Sequence, residues 1–188
     1  MSTFKNKDLL PKVCLTAGGI LIHQGKVLLI KHKKLNMWLS PGGHVDEGEL
    51  PHQTAEREFL EETGVKVKTV EPFIKLPSHQ TTGQFKSQYF PSPILTNLHW
   101  VCEQNYQARV FSKGKPDPKW YRGCEQHLGF TYLVELVDSQ KKPELNFNQK
   151  ETTQIGWFSQ DELDVLEGLN PEIKWEIGLA FRLKKQAK

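Results

Sequence analysis

One run of the sequence, residues 43–65, constrains the fold more than any other stretch. Within it, Glu58, Glu61 and Glu62 stand at positions i, i+3 and i+4. At about 3.6 residues per turn, this spacing places the three carboxylates within about 100° on one helix face. Like charges at these spacings destabilise a helix in water, and more so where the site is partly dry. The pattern therefore predicts a cation beside this face.

The chemistry of the run indicates which cation fits. Carboxylate oxygens are hard ligands that suit Mg²⁺ or Mn²⁺, and the soft ligands that favour other metals are absent from the run. Arg57 lies four residues before Glu61 and can pair with that carboxylate, but this pairing leaves Glu58 and Glu62 uncompensated. We therefore expect a divalent metal ion.

The residues around the acidic face predict a helix from about Pro51 to Thr63. Proline suits a first helical turn, and Gly64 is typical of the position after a helix end. Pro41-Gly42-Gly43 interrupts regular structure before the helix. Two apolar residues, four positions apart, form a stripe beside the acidic face: Ala55 and Phe59. One side of the helix should therefore pack, while the other meets solvent or ligand.

The run resembles the Nudix box, in which glycines, glutamates, an Arg-Glu pair and apolar residues recur at fixed spacings. The matching positions are Gly43, Glu49, Arg57, Glu58, Phe59, Glu61, Glu62, Gly64 and Val65. The only departure is Phe59, aromatic where the family usually has an aliphatic residue, which affects packing and not metal binding. A solvated acidic face is the alternative reading of such a charge run. The glycines and the arginine also match the positions of the box, which argues against this alternative.

The resemblance implies an α+β fold, the Nudix-type α/β/α sandwich with a mixed β-sheet, and the box helix packed on one side of the sheet. It implies that Glu58, Glu61 and Glu62 hold the metal and that the Gly42 carbonyl adds a ligand.

The resemblance also implies the remaining roles at the site. Arg57 would orient the carboxylates and Glu49 would assist from the loop. The general base would be Glu58 or, in another subfamily pattern, Glu151 just before the last strand. A solvated loop acid is the alternative for Glu151, because Glu144 is nearby.

Composition narrows the class of protein. With 188 residues, 37% hydrophobic and 25% charged, the chain is typical of one soluble globular domain, and its net charge of +3 is too small to argue for nucleic acid. We found no membrane span or signal peptide in the sequence and expect a reducing cytoplasm. The three cysteines, Cys14, Cys102 and Cys124, are widely spaced without a CxxC pair, which argues against both structural zinc and a disulfide framework.

Hydrophobic patterning predicts the other elements. Strands are expected at residues 12–22 and 27–30, from 65 to about 73, at 94–103, and at 128–136 and 152–158. Ser159 and Glu162 form a capping box for a helix to about Glu167, and Asn170-Pro171 opens a last helix to about residue 184.

Residues 78–126 form an insertion that is too long and too aromatic for a plain connector, so we expect partial order and a role as the outer wall of a substrate site. Trp100 and Trp120 could stack on a base. His127 could contact a phosphate or leaving group. Packing is the alternative for the two tryptophans, and a strand-end surface role is the alternative for His127.

We therefore predict a hydrolase that uses Mg²⁺ or Mn²⁺ to cleave a diphosphate linkage in a nucleoside diphosphate joined to another group. The alternative is a non-catalytic Nudix-like module that senses a nucleotide, and the intact box argues against it. An isomerase of the same fold would need further metal-binding histidines and a catalytic cysteine, which are not evident. No membrane or specific nucleic-acid partner is expected, and a homodimer is left open. Since the box selects no substrate, the insertion must do so.

Overall fold

The computed structural model describes residues 9–76, 87–120, 123–138 and 143–186. The strands are β1 Val13–His23, β2 Lys26–His32, β3 Met37–Leu39, β4 Gly42–His44, β5 Val67–Thr69, β6 Leu95–Trp100, β7 Gln126–Leu136 and β8 Thr152–Phe158. The helices are α1 Pro51–Thr63, α2 Glu103–Phe111, α3 Gln160–Asp164 and α4 Pro171–Gln186, and Pro118–Trp120 forms a short 3₁₀ turn. Within these ranges, no helix has the length and apolar character that a membrane span requires.

The strands form a mixed sheet in the order β3-β2-β1-β7-β5, with β4 beside β1, β6 beside β7 and β8 beside β2. Its centre is the parallel pair β1 and β7, which stay in register from Val13 opposite Gln126 to Leu21 opposite Val134. The neighbours of this pair run antiparallel to it. The predicted α+β fold with a mixed sheet is confirmed.

The core lies on both faces of the sheet. Ala55 and Phe59 of α1 are fully buried against one face, as the apolar stripe predicted. Ile177 and Ala180 of α4 are fully buried against the other. Gly19 permits the first contact, because a Cβ there would lie 2.9 Å from a methyl of Val134 and 3.2 Å from the Phe59 ring.

Local sequence signals located several element boundaries correctly, and the strands at 12–22, 27–30, 94–103 and 128–136 are present with shifted ends. The box helix begins and ends at the predicted residues, and Gly64 follows it with a φ of 74° and an N–H bonded to the Leu60 carbonyl at 2.8 Å. The strand at 152–158 matches its predicted bounds, and the capping box of Ser159 and Glu162 is present.

Four expectations differ from the structure. The strand after the box is only β5, and α3 ends at Asp164, short of the predicted Glu167. The insertion contributes the expected strand, β6, together with helix α2, which was not predicted; its residues 78–86 and 121–122 lie outside the described ranges. Finally, Cys14 and Cys124 form a disulfide, so the argument against disulfides was wrong. The parallel register of β1 and β7 brings these distant cysteines together, which their spacing alone does not reveal.

Candidate active site

Glycines allow β1, β4 and α1 to approach closely at the box. A Cβ on Gly42 would lie 2.7 Å from the Gly18 Cα, and a Cβ on Gly18 would lie 2.8 Å from the Pro41 carbonyl oxygen. A Cβ on Gly43 would overlap the carboxylate of Glu58. The glycines therefore make room both for the strand pairing and for the first box glutamate on the helix.

Glu62 is the most enclosed carboxylate of the site, at 3% exposure. Its Oε2 accepts a hydrogen bond from the Gly42 N–H at 2.9 Å. Burial raises the pKa of Glu62 to about 8; the Gly42 hydrogen bond opposes this rise, and the charges of Glu58 and Glu151 add to it. The pKa of Glu58 is raised as well, chiefly by burial. The ionised forms of these two carboxylates are therefore the ones that a bound cation would stabilise.

Arg57 ties the carboxylates together. Its Nη1 donates to Glu58 at 2.7 Å and to Glu61 at 3.2 Å, and its Nε donates to Glu49 at 2.9 Å. Its Nη2 donates to the His44 carbonyl oxygen at 3.1 Å. The expectation that Arg57 leaves Glu58 uncompensated was wrong, because the guanidinium group reaches three carboxylates at once.

Glu49 is held in its ionised form by this network. The Arg57 hydrogen bond lowers the pKa of Glu49 to about 2, and the Thr54 hydroxyl donates to the same carboxylate at 2.7 Å. Glu49 therefore fixes Arg57, and through it the orientation of the helix carboxylates.

These residues fit a hard divalent cation. Glu58, Glu61 and Glu62 offer carboxylate oxygens, and a buried carboxylate such as Glu62 is unfavourable unless its charge is compensated. Mg²⁺ keeps several waters and needs only one or two carboxylates, so the helix face need not close into a cage.

Glu151 lies close to the box, although it comes far later in the chain. It stands in the turn before β8, where its carbonyl accepts from the Lys33 N–H at 2.7 Å. Its charge contributes to the raised pKa values of Glu58 and Glu62. The structure therefore brings this predicted residue into electrostatic reach of the helix carboxylates.

A group of three histidines adjoins the box loop. The ring of His127 on β7 lies 4.9 Å from the ring of His44 and 5.6 Å from that of His99, measured between centroids. Burial lowers the pKa of His127 to about 4, with the two other histidines contributing, so the ring is neutral near pH 7. Its Nε2 is buried and lacks a hydrogen-bond partner among the described residues.

Of the two predicted tryptophans, only one lies with His127. The Trp120 ring is 6.4 Å from the His127 ring, and the ammonium groups of Lys34 and Lys119 lie 5.1 and 5.7 Å from its centroid. Trp100 follows His99 on β6 and therefore points to the opposite face of the sheet, where it packs edge-on against Tyr106 at 5.4 Å.

Sequence reasoning missed a polar group on the same sheet face as His127. The Asn97 amide and the Thr131 hydroxyl donate to the two carboxylate oxygens of Glu176 on α4, at 3.1 and 3.4 Å. These residues come from β6, β7 and α4, and only the strand register unites them. His44 was also missed, although its place directly after the first box glycine was a usable signal.

Comparisons with known proteins agree with this geometry. The family model of the NUDIX domain matches residues 14–178. An oxidized purine nucleoside triphosphate hydrolase of Danio rerio is 28% identical over 105 residues, which cover 54% of this chain and 62% of that protein. A probable DHNTP pyrophosphohydrolase of Lactococcus lactis is 32% identical over 93 residues, covering 47% of this chain and 56% of that protein. The chain thus spans less than two thirds of the length of either relative.

A solved structure with a similar fold is a NUDIX-family hydrolase from Clostridium perfringens, which superposes with a TM-score of 0.62 at 22% identity over 90% of this chain and 97% of that one. At this identity the likeness concerns the fold alone.

Proposed function

The chain belongs to the Nudix family, and from this membership we propose that it is a metal-dependent hydrolase. Its reaction is the cleavage of a diphosphate linkage in a nucleoside diphosphate joined to another group. The observation that carries the proposal is the intact carboxylate network of the box, in which Arg57 joins Glu49, Glu58 and Glu61 beside the buried Glu62.

Glu58, Glu61 and Glu62 would hold the metal, with the Gly42 carbonyl as a further ligand. When bound, Mg²⁺ or Mn²⁺ supplies Lewis-acid stabilisation of phosphate charge and acidifies a coordinated water. The hydrogen bond from the Gly42 N–H fixes the Glu62 carboxylate at the base of the site. Since ligand orientation depends on such contacts, the chain pre-organises the acidic face before substrate arrives.

Two carboxylates remain candidates for the base that takes the proton of the attacking water. Glu58 lies on the helix and is bonded to Arg57, which favours its ionised form, whereas burial favours the neutral form. Glu151 is exposed on its turn. The Gln variant of the true base should lose most kcat with little change in substrate KM, while the other variant should not.

The substrate wall is formed by Trp120 and His127, near the box loop. A flat indole beside Lys34 and Lys119 suits a base followed by phosphates, because the ring can stack while the ammonium groups attract the anion. The sequence pattern groups Trp100 with these residues, but Trp100 lies on the opposite face of the sheet, where it packs against Tyr106.

A panel of substrates tests the proposal directly. It should hold nucleoside diphosphates linked to sugars or other groups, and also nucleoside triphosphates, because the name of the Danio rerio relative refers to nucleoside triphosphate hydrolysis. We expect turnover of at least one compound with Mg²⁺ or Mn²⁺, loss of turnover with a chelator, and recovery when metal is restored. Absence of turnover across the panel, or turnover unchanged in excess chelator, would contradict the proposal.

We further propose that residues 1–188 act as a single domain with its insertion at about 78–126, and that the protein works in the cytoplasm. Neither a membrane nor a specific nucleic acid is part of this proposal. A homodimer stays open and is checked by measuring the mass of the protein in solution.

A further inference from the structure

Two cysteines and a histidine converge beside the box loop from three separate segments. Cys14 lies on β1, His44 on β4, and Cys124 two residues before β7. The two sulfurs are joined as a disulfide, and the His44 Nε2 lies 3.3 Å from the Cys124 Sγ. The three donor atoms all lie within 4.8 Å of one another.

This donor set differs from that of the box. Thiolates and imidazole favour zinc and similar borderline or soft ions, whereas carboxylates favour magnesium. Zinc–sulfur bonds of about 2.3 Å in a tetrahedral site place two sulfurs about 3.8 Å apart. The Cα atoms of Cys14 and Cys124 are 5.8 Å apart, so side-chain rotation after reduction is sufficient to reach this separation.

A second observation points to a ligand at the same place. The buried His127 Nε2 has no hydrogen-bond partner in the described ranges, and its ring lies 4.9 Å from that of His44. A buried polar atom without a partner requires an explanation. Three protein ligands leave one position of a tetrahedral ion open to water or an anion, which is the kind of partner that His127 lacks.

We propose that reduction of the Cys14–Cys124 disulfide creates a zinc site formed by these two thiolates and the His44 imidazole. The disulfide and the zinc site exclude each other, because zinc binds the two sulfurs as thiolates and the disulfide joins them in a covalent bond. A trialkylphosphine and one water convert the disulfide into two thiols and the phosphine oxide, and zinc binding then releases the two thiol protons. The wide cysteine spacing argued against zinc from the sequence, but the strand register supplies the proximity that a CxxC pair normally gives.

The zinc site borders the acidic network through one residue. The carbonyl oxygen of His44 accepts from Arg57 Nη2 at 3.1 Å, while its side chain faces Cys124. Zinc on the imidazole would therefore restrain the residue that anchors Arg57. The site itself does not depend on hydrolase activity, so binding alone can test it.

Cobalt serves as a spectroscopic probe for zinc. Titrating the phosphine-reduced protein with Co²⁺ should produce a sulfur-to-cobalt charge-transfer band that saturates at one ion per chain. Zinc should abolish the band, because it displaces cobalt from the thiolates. Excess Mg²⁺ should not, because it displaces only carboxylate-bound cobalt, which has no thiolate band. The oxidised protein should show no band. Absence of the band in the reduced, folded protein would overturn the proposal.

Single substitutions identify the ligands. Cys14→Ser, Cys124→Ser and His44→Gln should each weaken cobalt and zinc binding beyond the roughly 10- to 100-fold typical of altering an outer partner. Cys102→Ser and His99→Gln are the matched controls and should keep the band, because neither residue belongs to the cluster. Cys14→Ser and Cys124→Ser are compared with reduced wild type, so that all three proteins lack the disulfide. Circular dichroism verifies folding. Cobalt binding as tight as in reduced wild type in Cys14→Ser or Cys124→Ser, or a band lost in Cys102→Ser, would refute the assignment.

Discussion

At the scale of single residues, Glu62 is a buried carboxylate whose environment couples metal binding to folding. It is 3% exposed, and its contact with the Gly42 N–H satisfies only part of the bonding capacity of a carboxylate. Its burial is unfavourable to folding unless a cation compensates it, which couples metal binding to the stability of the folded chain.

Glu62→Gln should therefore affect both metal-dependent stability and turnover. Without metal the variant should melt at about the same temperature as wild type near pH 7, because the amide keeps the acceptor for Gly42 and is uncharged, like the neutral carboxyl that burial favours. With Mg²⁺, wild type should gain stability and the variant should not. Substrate turnover should fall by about 10²-fold or more. Calorimetry with and without chelator, together with steady-state kinetics, measures both effects; turnover equal to wild type at saturating Mg²⁺ would mean that the acidic face is only solvated.

At the scale of elements, local signals predicted what depends on neighbours in sequence. The bounds of α1 and β8 and the capping box of α3 follow from prolines, glycines and side-chain periodicity. Helix α2 was missed because its start lacks a capping side chain: Cys102 occupies the N-cap position and makes no side-chain cap. The contact of Trp120 with His127 could not be predicted from the sequence either, since it depends on how the insertion folds back on β7.

The insertion carries a paired prediction on its two tryptophans. Trp120→Ala should raise KM by roughly 5- to 150-fold, the equivalent of one lost stacking contact, and should change the preference between two substrates. Trp100→Ala should lower the melting temperature through its lost contact with Tyr106 and leave that preference intact. Kinetics on two substrates and thermal melts of both variants separate the roles. If the two variants differ from wild type only in melting temperature, the insertion is structural.

At the scale of the whole molecule, a buried ion pair joins the insertion to the start of the sheet. Glu125 is 1% exposed, and its carboxylate accepts from Arg109 on α2 at 2.6 and 2.8 Å and from the Lys12 N–H at 2.8 Å. The Arg109 hydrogen bonds lower the pKa of Glu125 below its ordinary 4.5. The ion pair therefore stabilises the folded state above pH 4.5, and this contribution is lost as the pH falls through the lower, folded-state pKa.

Glu125→Gln should remove that contribution. Near pH 7 we expect a loss of roughly 1.5–3 kcal/mol in the free energy of unfolding, the range for hydrogen bonds to charged groups. The difference from wild type should shrink as the pH falls below 4.5. Denaturant titrations across this range, with both proteins oxidised, provide the measurement. Glu135→Gln, which breaks the more exposed pair with Lys184, is the control and should change stability by at most about 1 kcal/mol. A difference that stays constant down to strongly acidic pH would contradict the assignment to Glu125.

The parallel pairing of β1 with β7 also determines when the packing of the acidic helix is completed during synthesis on the ribosome. Phe59 packs in a cluster completed by Tyr132 and Val134, which are translated some 70 residues after it. At about 5–20 residues per second, the β7 side of this cluster is translated roughly 4–14 s after Phe59. Through that interval the helix can pack against β1 but not against β7, so a nascent chain that stalls before β7 would leave part of its apolar helix face exposed to chaperones.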